Sequence, residues 1–165
     1  MTIHAAMKHM YHQFPASQGF ERKFNFKADL PYIVRIMAGM DGQSGTFITD
    51  GPDRKATPVK AKRSLNIEIV DKSVDFIPLN MNTVDSILRD VTAEGTIDFR
   101  VNLKYSYLDT NYNRVAFKGD TYLVRTQLDN GILMMKVHLT DGMGRTECDK
   151  IADTIVDEIV KNADV

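Results

Sequence analysis

The segment TIDFRVNLKYSYLD, residues 96–109, alternates apolar and polar side chains almost without interruption. Successive side chains of a β-strand point to opposite faces of the sheet, so this alternation predicts a long strand. One buried face and one solvated face are typical of an antiparallel sheet that is covered on one side only. The residues predicted to face the core are Ile97, Phe99, Val101, Leu103, Tyr105 and Tyr107.

Two more strands are predicted directly after this segment. Residues 114–128 give the first of them, and DNG at 129–131 predicts a hairpin, because asparagine and glycine tolerate the positive φ angles of a tight turn. Residues 132–140 give the next strand, whose alternation places Met135 inward and His138 outward. These strands together present an apolar face that a further layer must cover.

A C-terminal helix over residues 147–162 is predicted to cover that face. Ile155 and Ile159 belong to an apolar stripe at helical spacing, which suits packing on a sheet. Thr146, with Asp149 three residues later, has the form of a capping box at the start of the helix.

The rest of the chain completes a single α+β domain over residues 1–165. We expect a curved antiparallel sheet of about six to seven strands, packed by the long C-terminal helix. The N-terminal helix, within residues 1–16, is expected at the periphery, and residues 51–63 are expected to form a basic loop. The other predicted elements are a helix over 2–14, strands over 20–27 and 44–50, a helix after Asp29, a hairpin over 64–80 and a short helix over 83–91.

This order of elements resembles the helix-grip architecture of the Bet v 1 and START-like proteins, in which a curved sheet wraps the last helix. The resemblance lies in element order alone, and the helices predicted over 2–14 and 83–91 depart from it. It implies a space between sheet and helix that often encloses an apolar pocket.

Composition narrows the class of protein. A formal net charge of −1 and a hydrophobic fraction of 43% are ordinary for a globular domain and give no charge-based reason to bind nucleic acid or a membrane. The single cysteine excludes an internal disulfide, and the first residues lack the apolar run of a signal peptide, so we expect a cytoplasmic location. No stretch approaches about 20 apolar residues, so no spanning helix is expected.

Noncatalytic binding is the function that these features favour. A pocket between the sheet and the C-terminal helix would take a small apolar ligand, although side chains that fill a solid core are the commoner outcome. The residues predicted to line it are Tyr105, Tyr107, Phe117, Met135 and Ile155. An alternative is an assembly or adaptor protein, which would bind a protein partner or form a homo-oligomer through the first helix.

Anion binding is the second candidate chemistry. DGMGR at 141–145 precedes a helix, where unpaired N–H groups favour negative charge, although a plain strand-to-helix turn is the favoured interpretation. The basic loop would also attract phosphates, but no aromatic residue is interleaved with its charges, which argues against nucleic acid. An enzyme acting on an anionic substrate near His138 ranks last. The candidate anion-binding residues are Arg54, Lys55, Lys60, Lys62, Arg63, His138 and Arg145.

The remaining polar residues give no complete site. Three histidines lie in the predicted N-terminal helix: His4, His9 and His12. The last two would be neighbours on its surface, but the helix holds no carboxylate, so neither a metal site nor any other cofactor is predicted. Three acids could act as general bases only if they were buried or paired, which the sequence alone does not establish. These acids are Glu94, Asp98 and Asp120.

Overall fold

The computed structural model of the chain describes residues 9–15, 19–50, 58–71 and 75–163. Three helices lie in this part of the chain: α1 (Leu30–Met40), α2 (Val84–Leu88) and α3 (Cys148–Ala163). The strands are β1 (Phe20–Asn25), β2 (Ser44–Thr49), β3 (Val59–Asp71), β4 (Asp75–Pro78), β5 (Gly95–Leu108), β6 (Arg114–Asp129) and β7 (Ile132–Asp141).

All seven strands join one antiparallel sheet. Six of them follow the order β1-β7-β6-β5-β3-β2, and β4 pairs with β3 beside this path. The predicted α+β fold, a curved antiparallel sheet packed by a C-terminal helix, is confirmed. The hairpin predicted at 129–131 is also present, with positive φ angles at Asn130 and Gly131.

The core lies between one face of the sheet, called here the inner face, and two helices. The alternation of β5 is confirmed, since Phe99 and Val101 are buried while Lys104 is exposed. α3 covers the inner face beside β7 and β1, and α1 lies next to α3 against β3. Asp29 is the N-cap of α1. Its side chain accepts a hydrogen bond from the Tyr32 amide, which has no partner within the helix.

The helix predicted over residues 2–14 is wrong for residues 9–14, while residues 1–8 lie outside the described residues. His9 forms a parallel β-bridge with Ile97, and its carbonyl accepts a hydrogen bond from the Asp98 amide. His9 and His12 are therefore not neighbours on a helix surface.

The reason for this error is an open edge in the sheet. The pairing of β3 with β5 ends at Ile69 and Phe99, which leaves the first residues of β5 without a β3 partner. Backbone groups at such an edge need hydrogen bonds, and the segment at His9 supplies one. This long-range requirement overrides the local helical pattern.

The basic loop predicted over 51–63 is also wrong in part, because β3 begins at Val59. Residues 58–63 are described, whereas 51–57 are not. Lys62 lies opposite Thr46 of β2 and Ser106 of β5, so hydrogen bonding on both sides holds this stretch in a strand.

Candidate functional site

The DGMGR turn at 141–145 does bind an anion, but the anion is the carboxylate of Asp120. The backbone amides of Gly144 and Arg145 donate hydrogen bonds of 2.9 and 2.8 Å to its two oxygens. Gly142 and Gly144 both have positive φ angles, which glycine adopts without strain. The turn is therefore occupied from within the chain.

A β-bulge in β6 brings Asp120 to this position. The register between β5 and β6 shifts after Leu103, so that strict alternation breaks just before Asp120. A Cβ at Gly119 would lie 2.1 Å from the Leu103 carbonyl oxygen, so only glycine fits there. The bulge turns Asp120 to the inner face, where it is 1% exposed.

Asp120 belongs to a buried polar cluster formed by Arg63, Tyr105, Asp120, Tyr122 and Thr146. The Tyr105 hydroxyl donates to Asp120 at 2.7 Å, so the Thr146 hydroxyl, 3.1 Å away, donates to Tyr105. Arg63 donates to the same Thr146 hydroxyl at 2.9 Å, and Tyr122 donates to the Thr146 carbonyl. The Thr146 side chain, predicted to cap the last helix, is thus engaged by the sheet.

Burial keeps both tyrosines of the buried polar cluster neutral. It raises the pKa of Tyr105 and of Tyr122 well above the usual value near 10, and the negative charge of Asp120 raises both further. The two phenols therefore act as hydrogen-bond donors. Both oxygens of Asp120, which lies on β6, accept hydrogen bonds from Tyr105 of β5 and from the turn before α3. The cluster therefore joins these two strands to the start of α3.

Two predicted anion-binding arginines are used inside the protein. The Arg63 guanidinium lies 5.0 Å from the centre of the Phe47 ring, and that of Arg145 lies 4.6 Å from the centre of the Phe117 ring. Arg145 also donates to the Asp50 carbonyl at 2.7 Å. Both arginines therefore stabilise the end of the sheet near the buried polar cluster.

The predicted ligand-lining residues are buried or half-buried in the core and beside it. Tyr105, Met135 and Ile155 are buried, while Tyr107 and Phe117 are half-buried and contact each other edge to face. A cavity of about 20 Å³ lies beneath α3, and Ile155 is the one member of this set that lines it. That volume has room for roughly one water molecule.

The other predicted anion-binding residues fall in separate places. Lys60 and Lys62 point to the outer face of the sheet, opposite the helices, and His138 lies on the same face of β7. The N–H groups of the DGMGR turn lie on the inner side, with Asp120. Arg54 and Lys55, like His4, lie outside the described residues.

A second buried carboxylate, Asp98, holds the N-terminal segment on the outer face. Arg125 donates two hydrogen bonds of 2.8 Å to it, and the Tyr11 amide donates a third. Arg125 also donates to the Tyr11 carbonyl and lies 4.5 Å from the centre of the Phe14 ring. Burial raises the pKa of Asp98, and the hydrogen bonds from Arg125 and Tyr11 oppose that rise. Glu94, the third candidate base, is exposed.

The outer face carries a cluster of exposed cations that the sequence patterns did not bring together. Strand pairing places three of them around an open depression of about 710 Å³ at the start of β3, and two continue along β5 and β6. This basic surface consists of Lys60, Lys62, Lys104, Arg114 and Lys118. The outward half of the alternating segment 96–109 already indicated Lys104, but the register was needed to add Arg114 and Lys118.

In comparisons with family models, curated protein sequences and solved structures, nothing matches the chain. No helix in the part of the chain that the structure describes is long and apolar enough to cross a membrane.

The first prediction concerns the Asp120 carboxylate. Asp120→Ala removes the acceptor from two backbone amides and from Tyr105, so we expect the free energy of unfolding to fall by about 3 kcal/mol or more. The same change at exposed Asp157 should stay within about 0.5 kcal/mol of the parent. Urea unfolding followed by circular dichroism measures the stability of both variants. Equal losses of stability would contradict the role of Asp120 as a buried hydrogen-bond acceptor.

The second prediction concerns alkaline pH. The folded-state pKa values of Tyr105 and Tyr122 are raised, so the stability that they contribute is present below pH 10 and is lost as pH rises further. Tyr105→Phe should lower stability at pH 7 yet make the decline above about pH 9.5 shallower, by a slope difference that approaches roughly 1.4 kcal/mol per pH unit by pH 11. Urea unfolding at several pH values in this range measures how the free energy of unfolding changes with pH. The same slope in Tyr105→Phe and in the parent would refute the prediction.

Proposed function

We propose that the chain is a noncatalytic binding domain whose basic surface recognises a carboxylate-rich segment of a protein partner. The observation that carries this proposal is the 710 Å³ depression, whose described lining includes Lys60, Lys62 and Arg114 and no acidic residue. Like charges repel one another at such a site, and a negatively charged ligand relieves that repulsion.

The strand register supports a surface that can follow an extended segment. Thr46, Lys62 and Ser106 stand side by side on three adjacent strands, and Ser64 lies beside Lys104. Hydroxyl groups therefore alternate with ammonium groups, and both donate hydrogen bonds to carboxylate oxygens. At Lys118, a further member of the basic surface, the Asp141 carboxylate lies 3.4 Å from the ammonium group and offsets part of its charge.

Three observations favour this ligand over the other candidates. The described lining of the depression contains no aromatic side chain on which bases could stack, which disfavours single-stranded nucleic acid. The cavity beneath α3 holds about 20 Å³, which is too small for the apolar ligand first expected. His138 and the DGMGR turn lie on opposite sides of the sheet, which disfavours a catalytic site formed by both.

Charge reversal tests the proposal. The variant Lys60→Glu/Lys62→Glu/Arg114→Glu should bind a fluorescein-labelled decaglutamate peptide at least about tenfold more weakly than the parent, because three attractive pairs become repulsive. Fluorescence anisotropy at low salt measures the affinity, which should fall as salt is added. The three side chains are exposed, so the variant should keep the far-ultraviolet circular dichroism of the parent.

A matched control changes the net charge equally at exposed positions away from the surface: Lys23→Glu/Lys27→Glu/Lys150→Glu. The control should retain most of the affinity. Equal losses in both variants would mean that net charge alone drives binding and would refute the proposal. Stronger binding of a ten-nucleotide single-stranded DNA than of the peptide would also refute it.

A further inference from the structure

β2 forms one free edge of the sheet. In the described part of the chain it pairs with β3 alone. Its sequence, SGTFIT, includes no charged residue and no proline, which are features that usually keep an edge strand from pairing with another chain. The strand at the opposite end of the sheet, β1, has such a feature, since its sequence FERKFN carries three charged side chains. β2 is therefore the edge that is better suited to accept a further strand.

The backbone groups of β2 point alternately to β3 and to the free edge. The Leu65 amide of β3 donates to the Gln43 carbonyl at 2.9 Å, so the residues at every second position after Gln43 also direct their backbone groups to β3. The backbone groups of the intervening residues, Ser44, Thr46 and Ile48, therefore point to the free edge. All three residues are exposed, and Ile48 is 68% exposed. The edge thus presents a row of backbone donors and acceptors that no described strand uses.

The free edge lies next to the basic surface. Thr46 stands opposite Lys62, and Ile48 stands opposite Lys60, so these side chains share the outer face. Adjacent strands lie about 4.8 Å apart, so a strand added to β2 would lie about 10 Å from β3. A lysine and a glutamate side chain together span that distance. A segment on this edge with an acid at every second position would therefore bring its carboxylates to the basic surface.

Contacts within the chain hold β2 in place. The Arg145 guanidinium donates to the Thr49 hydroxyl at 3.2 Å and to the Asp50 carbonyl at 2.7 Å. On the inner face, the ring centres of Phe47 and Tyr105 lie 5.5 Å apart. Because these contacts fix the edge before any ligand arrives, a ligand loses less free energy in ordering it.

We propose that the carboxylate-rich segment binds as an additional antiparallel strand on the free edge of β2, with an acidic side chain at every second position. This inference rests on the proposed function and adds the way in which the segment is held. Antiparallel pairing is slightly more stable per residue than parallel pairing, and in it the amides of the acidic residues donate to β2 while the intervening amides point to solvent. A second copy of the chain is a poorer occupant, because pairing β2 with β2 would bring two basic surfaces together.

The experiment compares three fluorescein-labelled peptides of four Glu-Thr repeats by fluorescence anisotropy at low salt. One is unmodified, one is N-methylated at every glutamate, and one is N-methylated at every threonine. Methylation at the glutamates removes the amides that donate to β2, so it should weaken binding at least about tenfold. Methylation at the threonines changes amides that point to solvent, so the affinity should change by less than about threefold. The two methylated peptides have the same charge and the same number of methyl groups.

Proline variants test the edge from the side of the protein. Thr46→Pro removes a backbone donor at the free edge without removing a hydrogen bond to β3, so it should weaken binding of the unmodified peptide at least about tenfold. Asn25→Pro is the matched control on β1. The Phe26 amide donates to the Gly131 carbonyl at 2.8 Å, so the Asn25 amide points to solvent at the other edge. This variant should bind like the parent, and circular dichroism checks that both variants keep the sheet.

The outcomes separate this inference from the proposed function. Equal losses of affinity with the two methylated peptides, or a larger loss with the threonine-methylated one, would overturn the added strand. The proposed function would survive that result if charge reversal of the basic surface still weakened binding. Failure of the unmodified peptide to bind would overturn both. A dimer of the free chain that Thr46→Pro dissociates, measured by light scattering, would show that a second copy occupies the edge and would overturn the inference.

Discussion

The carboxylate of Asp120 is the constraint on which the closed fold depends. It is buried, and an unpaired carboxylate in that position would be too costly to keep. The amides of Gly144 and Arg145 and the hydroxyl of Tyr105 satisfy it, and these groups come from two separate parts of the chain, the β7–α3 turn and β5. The same interaction therefore closes the β7–α3 turn, fixes the start of α3 and joins that helix to the middle of the sheet.

The second buried carboxylate performs the corresponding task on the other face. Asp98 with Arg125 attaches the segment around Tyr11 to the outer face, where β3 and β5 separate. Two buried aspartates on neighbouring strands therefore attach other segments to the sheet, Asp120 on the inner face and Asp98 on the outer face. Residues 9–15 of the N-terminal segment lie against one end of the outer face, and the side chains of the basic surface at the other end are exposed to solvent.

Sequence patterns predicted the structure correctly where the spacing of apolar side chains matches the face that is buried in the fold. The alternation of residues 96–109, the turn at 129–131 and the apolar stripe of α3 were sufficient to predict the sheet and its covering helix. Three features could not be predicted from the sequence, for physical reasons. The apolar spacing near His9 also suits a helix, and only the open edge of β5 makes it extended. Period-two alternation gives no warning of the bulge at Gly119, so the anion of the DGMGR turn could not be identified as Asp120. The basic surface likewise depends on register between strands distant in sequence.

Amide hydrogen exchange of Gly144 and Arg145 measures whether the Asp120 carboxylate closes the β7–α3 turn. Both amides lie in a glycine-rich turn, where exchange is ordinarily fast. If the buried Asp120 accepts from both, they should exchange only through opening of the domain, at rates close to those of core amides in β5 and β6. Exchange at the rate of an unstructured peptide would contradict the account, because the turn would then be open and the carboxylate would have to be satisfied elsewhere.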